Sequence, residues 1–136
     1  MSRFIRNQFR TWLDAISGMT APVGISTTPQ NVTGAHIQLT REGYDDFQTL
    51  DDNGDAMIAE DFRVVSIAGT AAEADANAEL IVAALASIDG QTLTDRIVEA
   101  CDMGDIQDGV VRDPAGDETG DHFTQFTVRL LHRPVS

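Results

Sequence analysis

A β-branched run that passes, across a single glycine, into a fully signalled helix leaves this chain few folds to choose from. In Asp61 to Ala68, the residues Phe62, Val64, Val65 and Ile67 predict a strand with both faces largely covered. Gly69 ends it. Thr70 is a good N-cap, and Glu73 stands three residues on, so Thr70-Ala-Ala-Glu73 reads as a capping box. From Ala71 to Ile88 the segment is rich in alanine, and Ala74, Ala78, Ile81, Leu85 and Ile88 fall on one stripe at helical spacing. That stripe must cover a sheet, with Gly90 placed to stop the helix. Leu80 lies opposite the stripe, which suits either a singly exposed leucine or a partner contact.

The rest of the chain is placed around this unit. Ser2 caps a first helix running from Arg3 to about Ser17, with Ile5, Phe9, Trp12, Leu13 and Ile16 on one side. Arg3, Arg6 and Arg10 share the adjoining stripe. They are either a solvated flank, with Arg10 pairing to Asp14, or a contact with the acidic surface of a neighbouring subunit. Residues 19 to 34 carry Pro22, Gly24, Pro29 and Gly34 and read as a connection, with a short extended piece at Val23 to Ser26. Ala35, Ile37 and Leu39 alternate with His36, Gln38 and Thr40, the pattern of a half-buried antiparallel strand.

From Glu42 to Glu60 the sequence shows Glu42, Asp45, Asp46, Asp51, Asp52, Asp55 and Glu60 with no basic residue, and it reads as a long acidic loop. Asp51-Asp52-Asn53-Gly54-Asp55 has carboxylates at calcium-like spacing. It lacks the glycine and the closing glutamate of an EF-hand, and Asn53-Gly54 is better taken as a turn. After the helix, Thr92 to Ala100 suits a short helical turn or an irregular strand, and we take the helix. A strand follows at Ile106 to Arg112, then a second acidic loop holding Asp113, Asp117 and Glu118. In the last strand, Asp121 to His132, Thr124, Phe126, Val128 and Leu130 alternate with Phe123, Gln125, Thr127 and Arg129. The sum is an α+β domain spanning 1 to 136, in two layers: a four-stranded, mostly antiparallel sheet with two main helices on one face.

Composition narrows the function. Twenty-two acidic residues stand against nine basic ones, all arginine, giving a net charge of -13. Such a surface is not suited to binding nucleic acid broadly. The lysine-free bias fits a high-GC genome or a high-salt cytoplasm equally. No apolar run approaches the roughly 18 residues of a membrane helix, and no secretion signal is visible, so the chain reads as soluble and unexported. A single cysteine, Cys101, excludes an internal disulfide and a cysteine-cluster zinc site.

Catalytic patterns are missing as well. His36, His122 and His132 form no HxxxH or HxH pattern, Ser26 and Ser66 lie in no nucleophile elbow, and there is no phosphate-cradling glycine motif. Neither an enzyme nor a cofactor or metal site is expected.

Five stretches, taken in order, resemble the tail terminator (tail completion) proteins of long-tailed phages, the lambda-type family. They are the helix Phe9 to Ile16, the strand Gly34 to Thr40, Glu42-Gly43-Tyr44, Phe62 to Ile67 before the second helix, and Asp121 to Leu130 after an acidic turn. The resemblance implies a ring, usually a hexamer, at the head-proximal end of the virion tail. There it would cap the tube of major tail tube protein, stop its polymerisation and join the head-tail connector.

A ring of this kind needs two different complementary patches on each subunit. Arg3, Arg6, Arg10, Leu80, Phe123 and Arg129 are the implied interface residues. Asp45, Asp46, Asp51, Asp52, Asp55, Asp113, Asp117 and Glu118 are the implied lumen or assembly-ordered loop residues, whose carboxylates would let DNA pass without sticking. A head-side connector or adaptor of the virion and, in another class, a cellular acidic ligand-binding module remain alternatives.

Overall fold

A computed structural model describes residues 4–19, 21–25, 34–47 and 57–135. The capped helix forms as its sequence requires. In α2 (Ala71–Leu85), Thr70 is extended and its hydroxyl accepts the Glu73 backbone N–H at 3.2 Å. Ala74, Ala78, Ile81 and Leu85 are buried, as is Ile88 beyond the helix end. Two polar bonds fix this face on the sheet: Ser66 Oγ donates to the Ala74 carbonyl at 2.8 Å, and Thr124 Oγ1 donates to Asp75 Oδ1 at 2.5 Å. Replacing Thr70 with alanine removes the cap and is expected to lower stability by about 1 kcal/mol. A urea midpoint identical to that of the parent chain would refute this.

The first helix, α1 (Arg6–Asp14), is shorter than expected, and Ser2 lies outside the described residues. Its N-cap, Ile5, has no capping side chain of its own. The missing acceptor comes from the sheet: Glu60 Oε1 accepts the Ile5 N–H at 2.8 Å. Phe9 and Leu13 are buried, and the Phe9 ring lies 5.1 Å from that of Phe62. Trp12 reaches across to Gln91, its indole N–H 3.0 Å from Oε1.

The sheet departs from the expected four strands. Among the described residues it has seven: β1 (Val23–Ile25), β2 (His36–Phe47), β3 (Met57–Ala68), β4 (Thr92–Leu93), β5 (Arg96–Met103), β6 (Gln107–Arg112) and β7 (Glu118–Pro134). Their order is β1-β2-β3-β7-β5-β4, and β6 also pairs with β7. The sheet is mixed, because β1 runs parallel to β2. The combination of helices and sheet holds; the count of four strands does not, and the pairing of β1 with β2 is parallel where the others are antiparallel.

Two misread segments account for most of the difference. The supposed acidic loop after Thr40 is strand as far as Phe47 and strand again from Met57, in antiparallel register from His36↔Ile67 to Phe47↔Met57. Its acidic residues hid the alternation because their partners lie on other strands. Residues 92–100, taken as a helix, form β4 and the start of β5, where Leu93 and Val98 face the core. A bulge between Val98 and Ala100 breaks the two-residue period there.

β7 is long enough for two strands to share its outer edge: β6 pairs with its N-terminal half and β5 with its C-terminal half. Gly104 lies where the chain passes from β5 to β6, donating its N–H to the Thr127 carbonyl at 2.9 Å. A Cβ there would collide with Thr127 Oγ1. One hydrophobic core, between the sheet and both helices, holds Phe9, Leu13, Phe62, Val64, Ile81, Phe126 and Val128.

Candidate assembly site

Away from the core, the outer face of the sheet is laced by arginine–carboxylate bridges across strands. Arg63 meets Glu42 at 3.1 Å. Arg129 binds both oxygens of Asp61, at 3.0 and 3.1 Å, and Asp45 at 2.6 Å. The hydrogen bond to Asp45 holds the Arg129 guanidinium still more firmly protonated than usual; desolvation opposes it, and the Asp61 charge adds to it. Beside this ladder runs a groove of 480 Å³ whose floor includes Val65, Ile67 and Val110, with Arg63 and Arg112 on its rim. Phe123 lines the same groove, and Gly109, its register partner on β6, leaves room for the ring. A Cβ on Gly109 would come within 2.8 Å of Phe123 Cζ.

The structure separates the residues implied as interface. Arg3 lies outside the described residues. Arg10 is occupied within its own subunit, Nε donating to the Val23 carbonyl at 3.0 Å and the guanidinium lying 3.6 Å from Asp14. Arg6 lies in a cleft of 210 Å³ with Phe4 and Arg41, and among the described residues its buried Nε has no hydrogen-bond partner. Leu80 is half-buried, and a Cβ on Gly18 would sit 3.8 Å from either of its methyls.

Of the acidic set, Asp51, Asp52 and Asp55 lie outside the described residues, as does the side chain of Asp46. The turn between β6 and β7 is built around Asp113. Its Oδ1 accepts the N–H groups of Ala115 and Asp117 at 3.0 and 2.9 Å. Arg112 spans the turn to the Gly116 carbonyl at 3.0 Å and to Glu118 at 3.5 Å. The tip of this hairpin therefore presents Asp113, Asp117 and Glu118 from a preformed frame.

One cluster was not anticipated from sequence. Glu60, His132 and Arg96 are all buried. Arg96 Nε donates to His132 Nδ1 at 2.6 Å, and His132 Nε2 lies 2.8 Å from Glu60 Oε1. A guanidinium only donates, so Nδ1 must accept and Nε2 must carry the proton that goes to Glu60. Both imidazole nitrogens are thereby spent, and His132 has no lone pair left to act as a base. His132 is a structural bridge between the buried Arg96 and the buried Glu60. The signal that could have revealed it is the polar residue at each of three inward positions: Glu60 between Ile58 and Phe62, His132 after Leu130, and Arg96 before Val98.

Among the described residues, no group of three or more His, Cys, Asp or Glu is placed to hold a metal, and no helix is long and apolar enough to cross a membrane. Cys101 is half-buried. Burial, then the charges of Asp89 and Asp102, push its thiol from an ordinary value of 9.0 up to about 11. The folded chain thus keeps this proton more tightly than the unfolded one. The resulting stability is present below about pH 9 and is lost as pH rises towards 11. Between pH 8 and 11 the parent chain should lose more stability than Cys101→Ala, and parallel curves would contradict that assignment.

No protein-family model and no curated protein matches this sequence. A chain in the solved structure described as the virion of a native gene transfer agent (GTA) particle superposes with a TM-score of 0.61 and 22% identity. The match covers 95% of this chain and 91% of that one. At this identity the likeness is one of fold, and it extends from end to end.

Proposed function

We propose that this chain is a structural protein of a phage-like virion, and that it acts by closing into a ring with copies of itself. The observation that carries the reading is the end-to-end fold likeness to a chain of a gene transfer agent virion. It agrees with the independent resemblance of five sequence stretches to tail terminators. In the finer form of the proposal the ring is a hexamer at the head-proximal end of the tail. It caps the tube, blocks addition of further tube subunits and presents the surface that the head-tail connector meets.

The chemistry of the surface suits such a role. Charge-paired strand faces and a preformed acidic hairpin are means of fitting one rigid body to another, and the buried histidine is committed to holding the fold. We therefore read the chain as a non-enzyme whose partners are itself, the major tail tube protein and the head-tail connector.

Mixing the purified protein with purified tail tubes and free tube subunits tests this. Rings seated on one tube end, together with arrested elongation, are the expected result under electron microscopy. Protein that stays solitary at high concentration and leaves tube growth unchanged would overturn it.

A further inference from the structure

Within a single subunit, the arginine cleft and the acidic hairpin tip cannot reach one another. The cleft is tied to one end of the sheet, because Ile5, next to Arg6, is hydrogen-bonded to Glu60, and Glu60 is paired in register with Leu130 of β7. The hairpin tip is joined to the other end of the same strand, at Glu118. From Glu118 to Leu130 the strand covers at most roughly 40 Å at about 3.3 Å per residue, shortened by the turn of the backbone at Gly120. That is several times the screening length of about 8 Å at physiological salt.

Each patch is also built to be met. In the cleft, Arg41 lies over the Phe4 ring at 4.6 Å and only 3.8 Å from the buried Glu60, so its position is fixed. Arg6 beside it has a buried Nε–H with no partner among the described residues. At the far end, three carboxylates stand on a turn already closed by its own hydrogen bonds, with the single charge of Arg112 set against them.

We infer that the hairpin tip of one copy, Asp113 to Glu118, docks in the Phe4–Arg6–Arg41 cleft of the next copy, forming a head-to-tail seam. This rests on the ring reading above and specifies its interface. Two different patches at opposite ends of a subunit make a heterologous contact, the kind that closes into a ring when the rotation permits. The hairpin carboxylates then belong to the seam between subunits rather than to the channel wall. In a chain of net charge -13, the same contact also relieves part of the repulsion between copies.

Salt titration alone does not test this, because salt weakens the seam and the overall repulsion together. Charge exchange does. Arg6→Glu, and separately Asp117→Arg with Glu118→Arg, should each weaken self-association at least tenfold by analytical ultracentrifugation, about 1.4 kcal/mol or more. Arg6→Gln should weaken it less than Arg6→Glu. An equimolar mixture of the two charge-reversed proteins should recover assembly, since alternating copies restore an opposite-charge pair at every seam. Circular dichroism checks that each variant is folded.

If the parent chain assembles and Arg6→Glu assembles equally well, the seam is wrong while the ring stands. The seam is equally wrong if both variants dissociate and mixing recovers nothing. If the parent chain itself stays monomeric at high concentration, the seam and the ring reading fall together.

Discussion

Glu60→Ala is expected to lower folding stability by about 3–5 kcal/mol, the range found when one partner of a buried ion pair is removed. Natural domains hold only about 5–15 kcal/mol in total. Three groups depend on this carboxylate. The Ile5 N–H loses the acceptor that begins α1, His132 Nε2–H loses its acceptor, and Arg41 loses its charge partner. Behind His132, the buried Arg96 loses the carboxylate at the other end of the bridge. Glu60→Gln separates geometry from charge. Its amide oxygen can still accept from Ile5 and His132, so it should cost roughly 1–3 kcal/mol, the range for a buried group left unsatisfied. Urea denaturation with an unchanged slope measures both. If alanine and glutamine cost the same, the hydrogen bonds to Oε1 contribute nothing beyond the charge.

This bridge also marks where the sequence stopped being legible. Elements whose code is local could be read: the Thr70 cap, the alanine stripe of α2 and the alternation from Thr124 to Leu130 all describe what each segment does alone. The misread segments take their meaning from other strands. Glu42 and Asp45 look like part of a solvated acidic run until Arg63 and Arg129 arrive from β3 and β7. Glu60, His132 and Arg96 are ordinary polar residues in three separate strands until the fold brings them into a line. Bulges at Arg41/Gly43, Val98/Ala100 and Val110/Arg112 hid the rest, since each shifts the period by one residue. Of the site, the arginine stripe of α1 was visible as a cluster. That Arg10 is occupied, by the Val23 carbonyl and Asp14, is something composition cannot weigh.

Phe62→Ala is expected to cost about 3–5 kcal/mol, and its effect should fall unevenly across the molecule. Phe62 is fully buried, and its ring meets Phe9 of α1, 5.1 Å away. Truncating it removes the sheet's half of that contact and leaves a cavity that neighbours on a rigid strand can fill only in part. Phe9→Ala empties the same space from the other side, so the double variant should cost less than the two single losses combined. The two helices should then respond differently. α2 keeps its polar anchors at Ser66 and Thr124, whereas α1 loses the ring contact itself and is left with its bonds to Glu60, to Gln91 and to the short strand β1, where Arg10 and Asp14 meet Val23. Hydrogen exchange in Phe62→Ala should therefore show α1 amides losing protection before those of α2. Because Arg6 rides on α1, self-association should weaken under conditions where α2 is still fully protected. Equal loss of protection in both helices would mean that α1 is not a separately yielding part of the fold, and that the arginine cleft is held by more than the Phe9–Phe62 contact.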